Sequence, residues 1–147
     1  MASAQQELTI NAPVERVFEV VTDYEGYSEF LPEITGAEVL SREGDTVVVR
    51  FELEIVMRLS YTLELTEVSP TSVRWVLREA RMMSSNEGLW ELKALGDGTT
   101  HATYEVDVRL PGLIPKSVSD RLTGVTLPET LQRFKARCEG ATKEAGE

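Results

Sequence analysis

The stretch from Leu8 to Pro32, LTINAPVERVFEVVTDYEGYSEFLP, contains a strand pattern, a helix pattern and an aromatic-rich coil in quick succession. Leu8 and Ile10 alternate with polar neighbours, as in a short half-buried strand. After the helix pattern, a segment rich in tyrosine and phenylalanine is broken by Gly26 and Pro32, so we expect only one or two short helical turns there. This order of elements predicts a curved sheet wrapped around a cavity, an architecture suited to binding a ligand.

The predicted first helix begins directly after this strand. Pro13 suits the first helical turn, where its missing N–H is not needed, and Asn11 is placed to cap free backbone amides. Glu15 lies near the positive end of the helix dipole. Apolar residues recur at helical spacing and predict one buried stripe, which we expect to pack on an edge of the sheet. The residues of this stripe are Val14, Val17, Phe18 and Val21.

From Ala37 to Leu110 the apolar residues recur at every second position, with mostly charged or polar residues between them. Each predicted strand therefore has one apolar face and one exposed face. Turn-forming residues at 41–45, 69–72 and 96–98 separate the strands. We predict six further strands in an antiparallel sheet that is covered on one side only. The inward-facing residues are Val47, Val49, Phe51, Leu53, Ile55, Leu59, Tyr61, Leu63, Leu65, Val73, Trp75, Leu77, Trp90, Leu92, Ala102, Tyr104, Val106, Val108 and Leu110.

The segment after Pro115 is the remaining candidate to cover the apolar face of the sheet. Its apolar residues follow helical spacing with some drift, and Pro128 lies inside the pattern, so we predict a long C-terminal helix with a kink near Leu127. The fold class is therefore α+β, a curved antiparallel sheet of about seven strands around a long C-terminal helix, with short helices after the first strand. The apolar positions of the last helix are Val118, Leu122, Val125, Leu131, Phe134 and Cys138.

Composition limits the classes of function. The chain has 147 residues, the size of one ordinary domain, and we assign residues 1–147 to a single domain. No apolar run reaches the ~18 residues of a membrane span, and the N-terminus lacks the pattern of a secretory signal, so we expect a cytoplasmic protein. The formal net charge of -10 argues against nucleic-acid binding. With one cysteine and one histidine, we expect neither a metal site built from these residues nor a cofactor.

The predicted order of strand, short helices, six more strands and long helix resembles the helix-grip fold of the START-like, or SRPBCC, superfamily. The segment INAPVERVFEVVTDYEGYSEFLPEI is similar to the opening of its polyketide cyclase/dehydrase and coenzyme Q-binding protein branches, in which a pair like Ala12-Pro13 begins the helix. The segment NEGLWELKALGDGTTHATYEVDVRLPG, from Asn86 to Gly112, is similar to the family's Gly-aromatic strand, Gly-Asp-Gly turn and final strand. The resemblance covers almost the whole chain and is specific for the fold, whereas the superfamily's functions are diverse.

The resemblance implies an apolar cavity between the concave sheet and the C-terminal helix, with Tyr24, Tyr27 and Phe30 near its mouth. A cavity of more than roughly 300 Å³ would support the binding of a small molecule. The large inward-facing aromatic residues are suited to stack on a flat ring or to pack on a lipid chain, although they also fit a closed core without a ligand. The predicted ligand-binding residues are Tyr61, Trp75, Trp90, Tyr104, Leu122, Val125 and Phe134.

One polar pair on the strands is a candidate for chemistry. Glu79 and Arg81 share the parity of Trp75, which predicts that they face the cavity or its rim, where a buried pair can hold a polar ligand head or act in acid–base catalysis. In the alternative, the strand twists or bulges here and both side chains reach solvent. His101 follows a turn and is interpreted as a loop-edge residue, which excludes a histidine-based triad. Cys138 is interpreted as a helix-face residue.

Three functional hypotheses follow. The first is a non-catalytic protein that binds a lipid, an isoprenoid quinone or a polyketide-like molecule in the cavity. The second is a polyketide aromatase/cyclase that uses Glu79 and Arg81. The third is an interaction protein similar to the superfamily's ribosome-association toxin, which would use a mildly basic C-terminal helix. The basic residues of this helix are Lys116, Arg121, Arg133, Lys135 and Arg137.

Overall fold

The computed structural model of the chain describes residues 2–54, 58–81, 83–110 and 127–145. Within them lie seven strands and two α-helices, and a 3₁₀ helix lies between α1 and β2. The elements in chain order are β1 (Ala2–Ile10), α1 (Val14–Val21), the 3₁₀ helix (Tyr24–Glu29), β2 (Ile34–Glu43), β3 (Thr46–Glu54), β4 (Arg58–Val68), β5 (Ser72–Ala80), β6 (Ser85–Ala94), β7 (Thr100–Arg109) and α2 (Leu127–Ala145).

The strands form one antiparallel sheet in the order β1-β7-β6-β5-β4-β3-β2. The first two strands of the chain therefore lie at opposite edges, and α1 and the 3₁₀ helix connect these edges. From β2 to β7, strands that are consecutive in the chain are neighbours in the sheet. In the β6–β7 turn, Gly96 and Gly98 have φ angles of 77° and 84°, which favour glycine because it has no Cβ. The predicted seven-stranded sheet with short helices after its first strand is confirmed.

One face of the sheet forms the core. On β3, Val47, Val49 and Phe51 are buried, whereas Arg50 between them is exposed. The strands β4, β6 and β7 repeat this alternation, because successive side chains of a strand point to opposite faces. The predicted antiparallel sheet, covered on one side, is thus confirmed. The further buried residues on this face are Leu53, Leu59, Leu63, Leu65, Val73, Trp75, Trp90, Leu92, Ala102, Val106 and Val108.

Helix α1 buries a stripe of valines, and each buried side chain contributes on the order of 1.5 kcal/mol. Its main contacts are with α2 and with β6, the third strand from the β1 edge, so the expectation that it packs on an edge of the sheet is wrong. Asn11 does not cap the helix; Pro13 occupies the N-cap without a side-chain hydrogen bond. Phe18 is only partly buried, and Val20 takes its place in the stripe. The buried residues are Val14, Val17, Val20 and Val21.

Helix α2 contacts α1 and β1 and places Leu131, Phe134 and Cys138 in the core. Pro128 is the second residue of this helix, where its missing N–H costs no hydrogen bond. The predicted kink near Leu127 involves the preceding segment, which lies outside the described residues. No helix in the described part of the chain is long and apolar enough to cross a membrane.

Candidate ligand-binding cavity

A cavity of about 140 Å³ lies between the inner face of the sheet, the 3₁₀ helix and α2. Six of the seven strands contribute to its lining within the described ranges, β1 being the exception. The cavity exists as expected, but its volume is below the roughly 300 Å³ of drug-sized ligand sites. The lining residues are Val21, Tyr24, Tyr27, Leu31, Glu33, Ile34, Phe51, Leu53, Tyr61, Leu63, Leu65, Val73, Trp75, Met83, Asn86, Trp90, Tyr104, Val106, Val108, Thr130 and Phe134.

Two chains of aromatic rings meet at this cavity. In one, the Phe51 ring stacks between Tyr27 and Tyr61, with ring centroids 5.8 Å and 5.7 Å away. In the other, Trp90 lies edge-on to Tyr104 at 4.8 Å and to Phe134 at 5.2 Å. Such offset and edge contacts add stability beyond area burial and hold each ring in place. The cavity wall is therefore built from aromatic rings that already support one another.

Trp75 and Asn86 form a buried polar contact in this wall. The Trp75 indole Nε1–H donates to Asn86 Oδ1 at 3.1 Å, and the exposed fraction of Asn86 is 6%. The Trp75 ring crosses β6 at Gly88, where an added Cβ would lie 2.5 Å from the ring. A residue without a side chain is therefore needed at Gly88 for Trp75 to reach Asn86.

The four cavity-lining tyrosines differ in what their hydroxyls do. Tyr24 donates to Glu67 Oε2 at 2.7 Å, and Tyr27 donates to the backbone carbonyl of Val21. The hydroxyls of Tyr61 and Tyr104 have no hydrogen-bond partner among the described residues. Burial raises the pKa of all four tyrosines well above the ordinary value, so each remains protonated at neutral pH.

The three predicted mouth residues differ in burial and in their contact with the cavity. Tyr24 is buried, with an exposed fraction of 1%, and Glu67, which also accepts from Arg42 at 2.9 Å, holds its hydroxyl. Tyr27 lines the cavity, whereas Phe30 is half-buried and packs edge-on against Phe134. The 3₁₀ helix thus contributes to the wall of the cavity, and the hydrogen bond from Tyr24 to Glu67 links this helix to β4.

Glu79 and Arg81 are both exposed, so the expectation that they face the cavity is wrong and the bulge alternative is observed. The pairing of β5 with β4 shifts register at this point: Leu77 pairs with Leu63, but Glu79 pairs with the next residue, Thr62. One extra residue in β5 reverses the alternation after the bulge. The same shift turns Ala80, rather than Glu79, towards the core.

The structure brings together five of the seven predicted ligand-binding residues, namely Tyr61, Trp75, Trp90, Tyr104 and Phe134. Leu122 and Val125 lie outside the described residues. Sequence reasoning missed Asn86, although its parity with Trp90 on β6 was available as a signal. It also missed Glu33 and Thr130, which lie beside element ends where no periodicity points inward.

His101 and Cys138 do not contribute to the cavity. His101 lies within β7, not in a loop, and its Nε2 is 2.8 Å from Glu7 Oε1. Cys138 is fully buried on α2, and burial raises the pKa of its thiol to about 12, so it is not a reactive thiolate at neutral pH. No cluster of residues in the described ranges could hold a metal ion.

Comparison with known proteins agrees with this architecture. A putative polyketide cyclase of Streptomyces cyaneus is 29% identical over 99 residues, which is 65% of this chain and 65% of that protein, less than two-thirds of its length. A START superfamily protein of Mycobacterium smegmatis has a TM-score of 0.83 at 21% identity, covering 96% of this chain and 99% of that chain. The Zhui aromatase/cyclase of Streptomyces sp. R1128 has a TM-score of 0.81 at 18% identity, covering 98% and 97%.

At these identities the two structures show that the fold is shared, and the START-like helix-grip fold inferred from sequence is confirmed. The family identity rests on a different comparison. A model of the family described as polyketide cyclase / dehydrase and lipid transport matches residues 1–139. Because this match spans almost the whole chain, the protein belongs to the polyketide cyclase/dehydrase and lipid transport family.

Proposed function

We propose that the protein binds a hydrophobic small molecule, such as a lipid, an isoprenoid quinone or a polyketide-like compound, in the cavity between the sheet and α2. The observation that carries this proposal is an apolar space of about 140 Å³ at the centre of the fold, with an aromatic wall and few polar groups. A core that served only stability would fill such a space, because cavities cost stability in proportion to their volume.

The volume limits what enters the cavity. A cavity of about 150 Å³ with an apolar lining is large enough for benzene, so the space corresponds to one six-membered ring. The rest of a longer ligand would extend beyond it. The lining residues Glu33 and Thr130 are half-buried and lie near the start of β2 and the start of α2, so we expect a longer ligand to extend towards the surface on this side.

A cyclase activity is the second candidate, and it is favoured by the likeness to the Streptomyces relative that is named a putative polyketide cyclase. The exposed pair Glu79 and Arg81 does not support it. Among the described lining residues the one carboxylate is that of Glu33, so an acid–base step at this cavity would use Glu33. Unchanged turnover of a polyketide substrate by Glu33→Gln would contradict this assignment.

Ligand binding is tested by thermal unfolding with single-ring compounds, of which ethylbenzene is the simplest. A ligand at 100 times its Kd adds about 2.7 kcal/mol to the free energy of unfolding, so we expect the Tm to rise by several degrees. Leu63→Trp, which places a ring in the cavity, should abolish this rise. Leu40→Trp is the matched control, because Leu40 is exposed on β2, and it should retain the rise.

Two results decide between ligand binding and a closed core. Organic extraction of protein purified from its native host, followed by mass spectrometry, should recover a hydrophobic compound from the wild type. Absence of such a compound, together with no Tm rise across ring compounds, lipids and quinones, would overturn the proposal.

A further inference from the structure

Three polar groups of the cavity are hydrogen-bond donors without a protein partner among the described residues, and Asn86 shows this most clearly. An indole N–H can only donate, so the contact with Trp75 requires that Asn86 presents its carbonyl oxygen to Trp75. The amide nitrogen of Asn86 is then directed elsewhere, and it has no hydrogen bond to any residue in the described ranges. Asn86 is inward-facing on β6, opposite the lining residue Val108. Its N–H₂ group is therefore a hydrogen-bond donor at the cavity wall, without a protein partner among the described residues.

Tyr61 and Tyr104 supply two more donors to the same cavity. The Tyr104 ring centroid lies 5.7 Å from that of Trp75, so Tyr104 and Asn86 flank the same indole. Tyr61 is near enough for its charge to contribute, after burial, to the raised pKa of Tyr104. Since both phenols stay protonated at neutral pH, each retains its O–H. Tyr24 and Tyr27 differ, because their hydroxyls already donate to Glu67 and Val21.

A donor that a bound ligand covers without accepting its hydrogen bond costs about 1–3 kcal/mol, whereas an oxygen acceptor on the ligand removes this cost. A purely hydrocarbon ligand would leave all three donors unsatisfied. A ring that carries a carbonyl oxygen would accept from one or two of them, while its carbon atoms pack against the aromatic wall. The preference for such a ring follows from these three donors, which have no protein partner among the described residues, together with the size of the cavity.

We propose that the donor cluster of Asn86, Tyr61 and Tyr104 selects ligands whose buried ring carries a hydrogen-bond-accepting oxygen, a ketone or quinone oxygen being the chemical class that fits. This inference rests on the proposed ligand-binding function and specifies its ligand class. It assigns the cluster a role in recognition, and no bond is made or broken.

The test compares two probes of nearly equal shape, acetophenone and ethylbenzene, by isothermal titration calorimetry on the intact chain. The wild type should bind acetophenone about 10-fold more tightly, the value of one good hydrogen bond. The double variant Tyr61→Phe/Tyr104→Phe and the single variant Asn86→Leu should each reduce this ratio by several-fold. Ethylbenzene affinity, measured on the same variants, reports whether the cavity is still formed.

Thr103→Val is the control, because it removes a hydroxyl from the outer-facing residue next to Tyr104 on β7 and should leave the ratio unchanged. If the wild type binds both probes equally, or if both cluster variants retain the full ratio, the donor cluster does not select the ligand and the inference is overturned, while ligand binding stands. If the wild type binds neither probe, nor any lipid or quinone, the proposed function fails and this inference fails with it.

Discussion

At the scale of single residues, the absence of a side chain at Gly88 shapes the cavity wall. Gly88 lies in β6 between Trp75 on one neighbouring strand and Val106 on the other. A Cβ added at Gly88 would lie 2.3 Å from the backbone oxygen of Glu105 and 2.5 Å from the Trp75 ring, distances at which atoms must move apart. Because a backbone oxygen cannot rotate away as a side chain can, glycine is the residue that allows this packing.

We therefore expect Gly88→Ala to lower the free energy of unfolding by about 2–3 kcal/mol through overpacking. It should also disturb the contact between Trp75 and Asn86. Urea denaturation followed by tryptophan fluorescence measures both effects. Gly140→Ala is the matched control: among the described residues, no atom beyond the chain neighbours and the helix backbone lies within 4 Å of an added Cβ at this position in α2. We therefore expect a gain of about 0.5–1 kcal/mol. Equal effects of the two substitutions would contradict the packing argument.

Strand alternation predicted some inward-facing residues correctly and failed at one position of β5. Alternation correctly placed Tyr61, Trp75 and Tyr104 on the inner face, because a regular strand has a strict period of two. It failed at Glu79, because a bulge adds one residue to β5 without a signal in the local pattern. The parity of a strand is therefore predictable only as far as its pairing with the neighbour stays regular.

At the scale of elements, the carboxylate of Glu139 links α2 to the junction of β1 and α1 through a hydrogen bond. Glu139 Oε2 accepts the backbone N–H of Asn11 at 2.8 Å and also accepts from Lys135. Partial burial alone would raise the pKa of Glu139, but the hydrogen bonds from Lys135 and Asn11 outweigh it and hold the pKa below its usual value. The ionised form of Glu139 is thus the form that stabilises the fold.

A lowered pKa in the folded state means that Glu139 contributes stability above its unfolded pKa of about 4.5, and that this stability is lost as the pH falls through the folded pKa. We expect Glu139→Ala to cost about 1 kcal/mol at pH 7. Glu139→Gln should cost less, because it keeps an acceptor for Asn11. Both variants should lose less stability than the wild type between pH 5 and pH 3 in urea titrations. A wild-type pH dependence in Glu139→Gln would contradict this role.

At the scale of the whole molecule, charge bears on the hypothesis of a ribosome-associated protein. The net charge is -10, and two basic residues of α2 are already paired with acids, Lys135 with Glu139 and Arg137 with Glu29. Arg133 is exposed, whereas Lys116 and Arg121 lie outside the described residues. This distribution gives the described face of α2 little positive charge for binding phosphates.

We therefore expect the protein to remain in the supernatant when it is mixed with ribosomes at about 100 mM salt and centrifuged, because an acidic surface is repelled by RNA. A basic RNA-binding protein in the same tube would serve as the positive control. Co-sedimentation in a fixed ratio to ribosomes would contradict this prediction and would support the hypothesis of a ribosome-associated protein.

The sequence by itself determined the seven strands and the inward aromatic residues, because periodicity and turn residues are local properties. Its resemblance to the START-like superfamily predicted the helix-grip fold. Only the tertiary structure decided the volume of the cavity, the hydrogen bond from Trp75 to Asn86, and the exposure of Glu79. Each of these depends on how neighbouring strands are registered and how closely their side chains pack. Register and packing arise between segments distant in the chain, so no local pattern encodes them.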